Sequence, residues 1–220
     1  MAAQETSLQG ESLNELLEQA HAHLAGHRLG EAIDVLEKAL SVDFDYPDVA
    51  TVLKYANFWK ERAALVEQIG SEFEQGEYLL SQWSTFRRFV DRVGEAAEPW
   101  MGSVRAHVFG LALAKYESLL DDSGGTDAEL LLRIGRCHKA LGHYDTARRY
   151  LEQAGRHRRE DAAILAELAD CYALVNETQR AKAFFREAFF VSPSRIDLNL
   201  LESEMICRLI AKVREEGYEQ

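Results

Sequence analysis

Apolar residues along much of this chain recur three and four positions apart, the spacing of one face of an α-helix. Period-two alternation is scarce and only three prolines interrupt the sequence, so the pattern predicts an all-α protein. The stripe is clearest at Leu131, Ile134 and His138, and again at Tyr144, Ala147, Leu151 and Ala154. It returns as Leu165, Leu168 and Tyr172, then Ala181, Phe185 and Ala188, ending at Pro193. Ala147 and Ala181 lie 34 residues apart, and Gly135/Ala169 and Gly142/Asn176 keep the same register, so one unit is written twice. Within a unit, Gly142 predicts the end of a first helix. Tyr144 predicts packing where a second helix begins, and the small Ala147 predicts the closest approach of the two.

A third copy starts at Leu13, with Leu16, Ala20, His23, Leu29, Ala32, Leu36 and Ala39 in register. Ser12 and Glu15 in "SLNE" form a capping-box pattern ahead of it, and Thr126/Glu129 and Ser194/Asp197 predict two further helix starts. Residues 48–122 resist the period. One reading takes Val66, Ile69, Gly70, Phe73, Tyr78 and Ser81 as a degenerate repeat over 63–95. Another takes Val52, Tyr55, Trp59, Arg62, Val66, Ile69 and Phe73 as the seam of one helix over 48–75, about 40 Å long. Such a stripe either dimerises, through a surface of Val52, Tyr55, Trp59 and Trp83, or packs internally on Leu79, Trp83, Phe86 and Val90. The expected organisation is one helical domain over 12–216, with repeats at 13–46, 63–95, 128–161 and 162–195. A capping helix over 194–215, a flexible 1–11 and a frayed 217–220 complete it.

The two copies "AELLLRIGRCHKALGHYDTARRYLEQAGRHRRE" and "AAILAELADCYALVNETQRAKAFFREAFFVSP" resemble the tetratricopeptide repeat in period and in the marked positions. The resemblance implies a right-handed superhelical array of antiparallel helix pairs. It also implies that the first helix of each pair lines a concave groove for a peptide or partner helix. Carried onto this sequence, that groove comprises Glu129, Leu132, Arg133, Arg136, Lys139 and Ala140, then Ala163, Ala166, Glu167, Asp170, Ala173 and Leu174. From the last helix it takes Leu200, Leu201 and Glu204. The chaperone-binding members clamp a terminal carboxylate with lysine and asparagine. Leu17 and His21 stand at two of those places, which disfavours that ligand.

Charge narrows the partner. A formal net charge of −12 sets an unfavourable field for tracking phosphates, so nucleic acid is disfavoured. Against it, Arg133, Arg136 and Lys139 form a basic strip that suits an acidic peptide, unless the strip pairs with Glu167 and Asp170 on the neighbouring helix. The first dozen residues show no basic and apolar leader pattern, and no apolar run is long enough to span a bilayer. A cytoplasmic protein without membrane insertion is expected.

Tempting chemistry is absorbed by the repeat. His21, His23 and His27 suggest a metal, yet His23 falls where His138 and Tyr172 pack and His27 falls in the turn. Cys137 and Cys171 are one repeat apart, roughly 10 Å, too far to bridge, and with Cys207 they read as small apolar residues of a reducing compartment. "NET" at 176–178 is a turn rather than a glycan site, and no phosphate loop, nucleophile elbow or "HExxH" occurs. The expectation is a non-catalytic scaffold or adaptor that binds another protein and needs no cofactor or metal. An acidic secretion chaperone and a self-assembling structural component through the middle helices are the alternatives, and a homodimer is a candidate assembly.

Overall fold

In the computed structural model the described residues are 12–46, 48–94, 97–122 and 124–217. The expected flexible 1–11 and most of the frayed 217–220 lie outside them. All regular structure among these residues is helical, in the order α1 (Leu13–Ala25), α2 (Leu29–Val42), α3 (Val49–Val66), α4 (Glu72–Val93) and α5 (Glu98–Asp122). Then follow α6 (Ala128–Ala140), α7 (Tyr144–His157), α8 (Ala162–Leu174), α9 (Thr178–Val191) and α10 (Glu204–Glu215). Two single 3-10 turns, Pro193–Arg195 and Leu198–Leu200, separate α9 from α10.

Where one domain is expected, the chain divides into two compact units. The first comprises Met1–Gln68 and Thr85–Val108, the second Ile69–Ser84 and Phe109–Gln220.

The first unit opens with the predicted capping box. The Glu15 amide donates to Ser12 Oγ at 3.4 Å and the Ser12 amide to Glu15 Oε2 at 2.8 Å, satisfying two amides that a helix start leaves unpaired. Leu16, Ala20 and Leu24 of α1 are buried, as are Ala32, Ile33, Leu36 and Ala39 of α2, so the two helices share the apolar stripes that the spacing predicts. The helix seam over 48–75 is not continuous. α3 stops at Val66 and a turn intervenes before Glu72. Its stripe packs internally, because the Tyr55, Phe58 and Trp59 rings lie 5.2–5.5 Å from Phe86. Val52, Tyr55 and Trp59 are therefore core rather than a dimer surface.

In the second unit, Trp83 is buried against Phe109 at 5.2 Å, which removes the last member of that expected surface. The degenerate repeat over 63–95 is also corrected. Its helix turn would fall near Gly76, but α4 runs unbroken through that residue. Gly76 serves a close approach instead, since a Cβ there would stand 2.5 Å from Tyr116 Cζ. Helices α6/α7 and α8/α9 form the two antiparallel pairs, with Ala147, Leu151, Ala181, Phe185 and Ala188 buried between them. Each pair turns on a residue with positive φ five places before its small alanine. These are Gly142 (79°) and Asn176 (64°), matched in the first unit by His27 (63°).

Asp127, rather than Thr126, caps α6 by accepting from the Glu129 amide at 2.8 Å, and Asp161 caps α8 by accepting from the Ala163 amide at 3.0 Å. The capping helix predicted over 194–215 is only half present: α10 begins at Glu204, and Leu201–Ser203 runs extended.

Candidate functional site: the face of α6 and α8

Arg136 and Lys139 lie one turn apart on α6, as Glu167 and Asp170 do on α8, so the paired helices bring all four heads together. Arg136 Nε donates to Glu167 Oε1 at 2.7 Å, while Lys139 Nζ donates to Glu167 Oε2 at 2.6 Å and to Asp170 Oδ2 at 2.7 Å. Lys139, Glu167 and Asp170 are only 2%, 1% and 0% exposed. Burial works against the charge on Lys139, but the two carboxylates outweigh it and hold the ammonium proton more tightly than in water. Two cations face two anions, so the quartet is neutral as a whole.

The quartet also grips main chain. Lys139 Nζ donates its third hydrogen bond to the Leu200 carbonyl at 2.8 Å, and Asp170 accepts from the Glu202 amide at 2.8 Å and the Ser203 amide at 2.9 Å. Ile196, Leu201 and Ile206 sit in one cluster with Ala162, Leu165, Ala166 and Ala169 of α8 and Phe185 and Ala188 of α9. Residues 196–206 thus form a clasp whose apolar side chains and backbone are both bound by α8 and its neighbours.

Arg133 is occupied elsewhere. Its Nε and Nη2 fork onto the two oxygens of Glu77 at 2.6 and 2.9 Å, and its Nη1 meets Glu129 at 2.9 Å. Burial disfavours ionised Glu77, yet the bonds from Arg133 and Tyr116 prevail and its carboxyl lies below the usual carboxylate range. Burial and the 2.6 Å bond to Glu77 push the Tyr116 hydroxyl upward. Glu129 is bound in turn by Arg158 at 3.0 Å.

Of the residues expected to line a groove, Leu132 and Leu201 are buried, and Leu174 and Leu200 are half-buried. Arg136 pairs with Glu167 as the internal alternative anticipates, whereas Arg133 pairs with Glu77, a partner that no spacing announced. The basic strip is neutralised within the chain.

His21, His138, Cys137 and Cys171 serve packing. His21 stacks on Trp100 at 3.6 Å and shares a 2.8 Å hydrogen bond with Ser103, while His23 Nδ1 accepts from Arg28 at 3.0 Å. His138 stacks on Tyr150 at 5.4 Å, and Tyr172 on Phe184 at 5.3 Å, one repeat later. Among the described residues no three His, Cys, Asp or Glu side chains come together as metal ligands. Burial raises the thiols of Cys137 and Cys171, which keeps both unreactive, and Cys207 is exposed. No helix among the described residues is long and apolar enough to cross a membrane.

Two helix pairs in one register, each turning on a positive-φ residue and closing on a buried alanine, define an α-helical repeat protein. The family model of the tetratricopeptide repeat matches residues 128–154, the first of these two pairs. No curated protein matches the chain in sequence. Similar solved structures include TTC0263, a thermophilic TPR protein of Thermus thermophilus, at 20% identity over 91% of this chain and 100% of that one, with a TM-score of 0.40. YrrB, described as a TPR protein with an unusual peptide-binding site, is 15% identical over 93% and 94% with a TM-score of 0.39. MamA of MSR-1 is 17% identical over 81% and 95% with a TM-score of 0.37.

Proposed function

We propose that this protein is a non-catalytic scaffold that binds an extended segment of another protein along the face of α6 and α8. The observation that carries the reading is the hydrogen bonding of residues 200–203. One carboxylate accepts two successive amides and one ammonium donates to a carbonyl, which is recognition of main chain rather than of a particular side chain. The charges of the face are balanced internally. The chemistry therefore favours an extended, apolar-containing segment over the acidic peptide that the basic strip suggests. Cytoplasmic residence fits three free thiols and remains part of this proposal.

Photo-crosslinking tests the reading. Benzoylphenylalanine at Leu174, the half-buried last residue of α8, is compared in cells with the same probe at Phe190, which is 89% exposed on α9. Adducts to a protein partner from position 174 and not from 190 support the proposal. Adducts from 190 alone place recognition on another face and contradict it.

A further inference from the structure

Residues 196–206 hold a conformation that their own sequence does not favour. Leu198, Leu201, Met205, Leu209 and Val213 carry the three-and-four spacing of one continuous helix, with Ser194 and Asp197 placed to start it. Only the part after Ser203 is α-helical. The preceding stretch is reduced to two 3-10 turns and an extended run in which Leu201 has φ −82° and ψ 132°. Local preference and adopted structure conflict here, and the extended form is the one in which the backbone bonds Asp170 and Lys139 while Leu201 and Ile206 enter the apolar cluster.

The clasp can leave without breaking the ion pairs of the quartet. Arg136, Lys139, Glu167 and Asp170 remain mutually paired when the segment is gone, and water can replace its backbone groups. The bound state also carries a defect. Ser203 Oγ is buried with no hydrogen-bond partner among the described residues, so release returns a hydroxyl to water.

We infer that residues 196–206 are an intramolecular ligand of the α6–α8 face, both a template for the external partner and its competitor. The inference rests on the scaffold reading above and names the partner's chemistry. The partner supplies a carbonyl where Leu200 stands and a leucine-like side chain where Leu201 inserts. Two successive residues other than proline then follow, because both must donate an amide. A second apolar side chain lies five residues after the first, as Ile206 does.

The probe is a fluorescein-labelled peptide with the sequence of residues 196–206, titrated by anisotropy against the full chain. It is compared with a variant carrying Leu201→Ser and Ile206→Ser, which removes two apolar anchors of the clasp and keeps every residue of α6 and α8. The variant is expected to bind the peptide at least tenfold more tightly than the unaltered chain, provided that circular dichroism shows equal helicity. A peptide with proline at both amide-donating positions is expected not to bind.

Amide exchange on the unaltered chain gives a second readout that does not depend on the variant. Amides of residues 200–206 are expected to exchange at least tenfold faster than those of Leu168–Cys171 in α8. Equal exchange in the two segments overturns the competitor role while leaving the scaffold reading intact. A well-folded variant that fails to bind the peptide overturns the template, and crosslinking from Leu174 then decides the scaffold reading separately.

Discussion

Lys139 shows what a single residue contributes here. Its ammonium bonds to both buried carboxylates and to the clasp, so Lys139→Met leaves Glu167 and Asp170 short of a partner in a buried site. Breaking such a pair costs about 3–5 kcal/mol, and urea unfolding of the second unit is expected to show a loss of that order. A loss below about 1 kcal/mol contradicts the tightly buried network. Burial, and then the facing His27, lower His107 in the first unit to about 4 from the ordinary 6.5. The unfolded chain therefore binds a proton at higher pH than the folded chain. Stability is full above about 6.5 and falls as pH drops toward 4, by about 3 kcal/mol in all. Urea unfolding followed through Trp59 and Trp100 of the same unit is expected to show this slope, and His107→Leu to flatten it. These residues differ in how far the sequence disclosed them. The packing role of Ala147 follows from the repeat register alone. The bond from Arg133 to Glu77 spans 56 residues and leaves no periodic trace.

Helix pairs are the elements that sequence discloses best, because a pair needs an apolar stripe, a turn residue and a small contact residue at fixed offsets. Leu13–Val42, Ala128–His157 and Ala162–Val191 each carry all three. The turn residue is testable. Gly142 holds φ at 79°, so Gly142→Ala is expected to destabilise the second unit by about 1 kcal/mol or more, measured by thermal unfolding. His27→Gly in the equivalent turn is expected to be neutral or stabilising. The middle resisted because one glycine has two physical uses. A degenerate repeat over 63–95 requires a helix break near Gly76, yet that glycine is the contact point of α4 with Tyr116. Gly76→Ala is expected to cost about 1–3 kcal/mol by overpacking without shortening the helix. The clasp was illegible for a different reason. Its spacing is helical, whereas the extended run is matched to carboxylate, ammonium and apolar groups that distant helices bring together.

At the scale of the molecule, the chain is two compact helical units with a net charge of −12, and the α6–α8 face proposed to bind has its buried charges balanced. Arg133, Arg136 and Lys139 are paired within the chain, so on the proposed reading recognition rests on main-chain hydrogen bonds and apolar insertion. On the proposed reading, Asp170 recognises two successive backbone amides of a partner as it does those of Glu202 and Ser203. The measurement that tests it most directly uses the chain with Leu201→Ser and Ile206→Ser and the peptide of residues 196–206, N-methylated at the two positions that correspond to Glu202 and Ser203. N-methylation removes the donors and leaves every side chain in place. Main-chain recognition predicts at least a tenfold loss of affinity at those two positions and little change when Asn199 is N-methylated instead. Equal affinity for all three peptides would contradict the claim and assign the binding to apolar side chains alone.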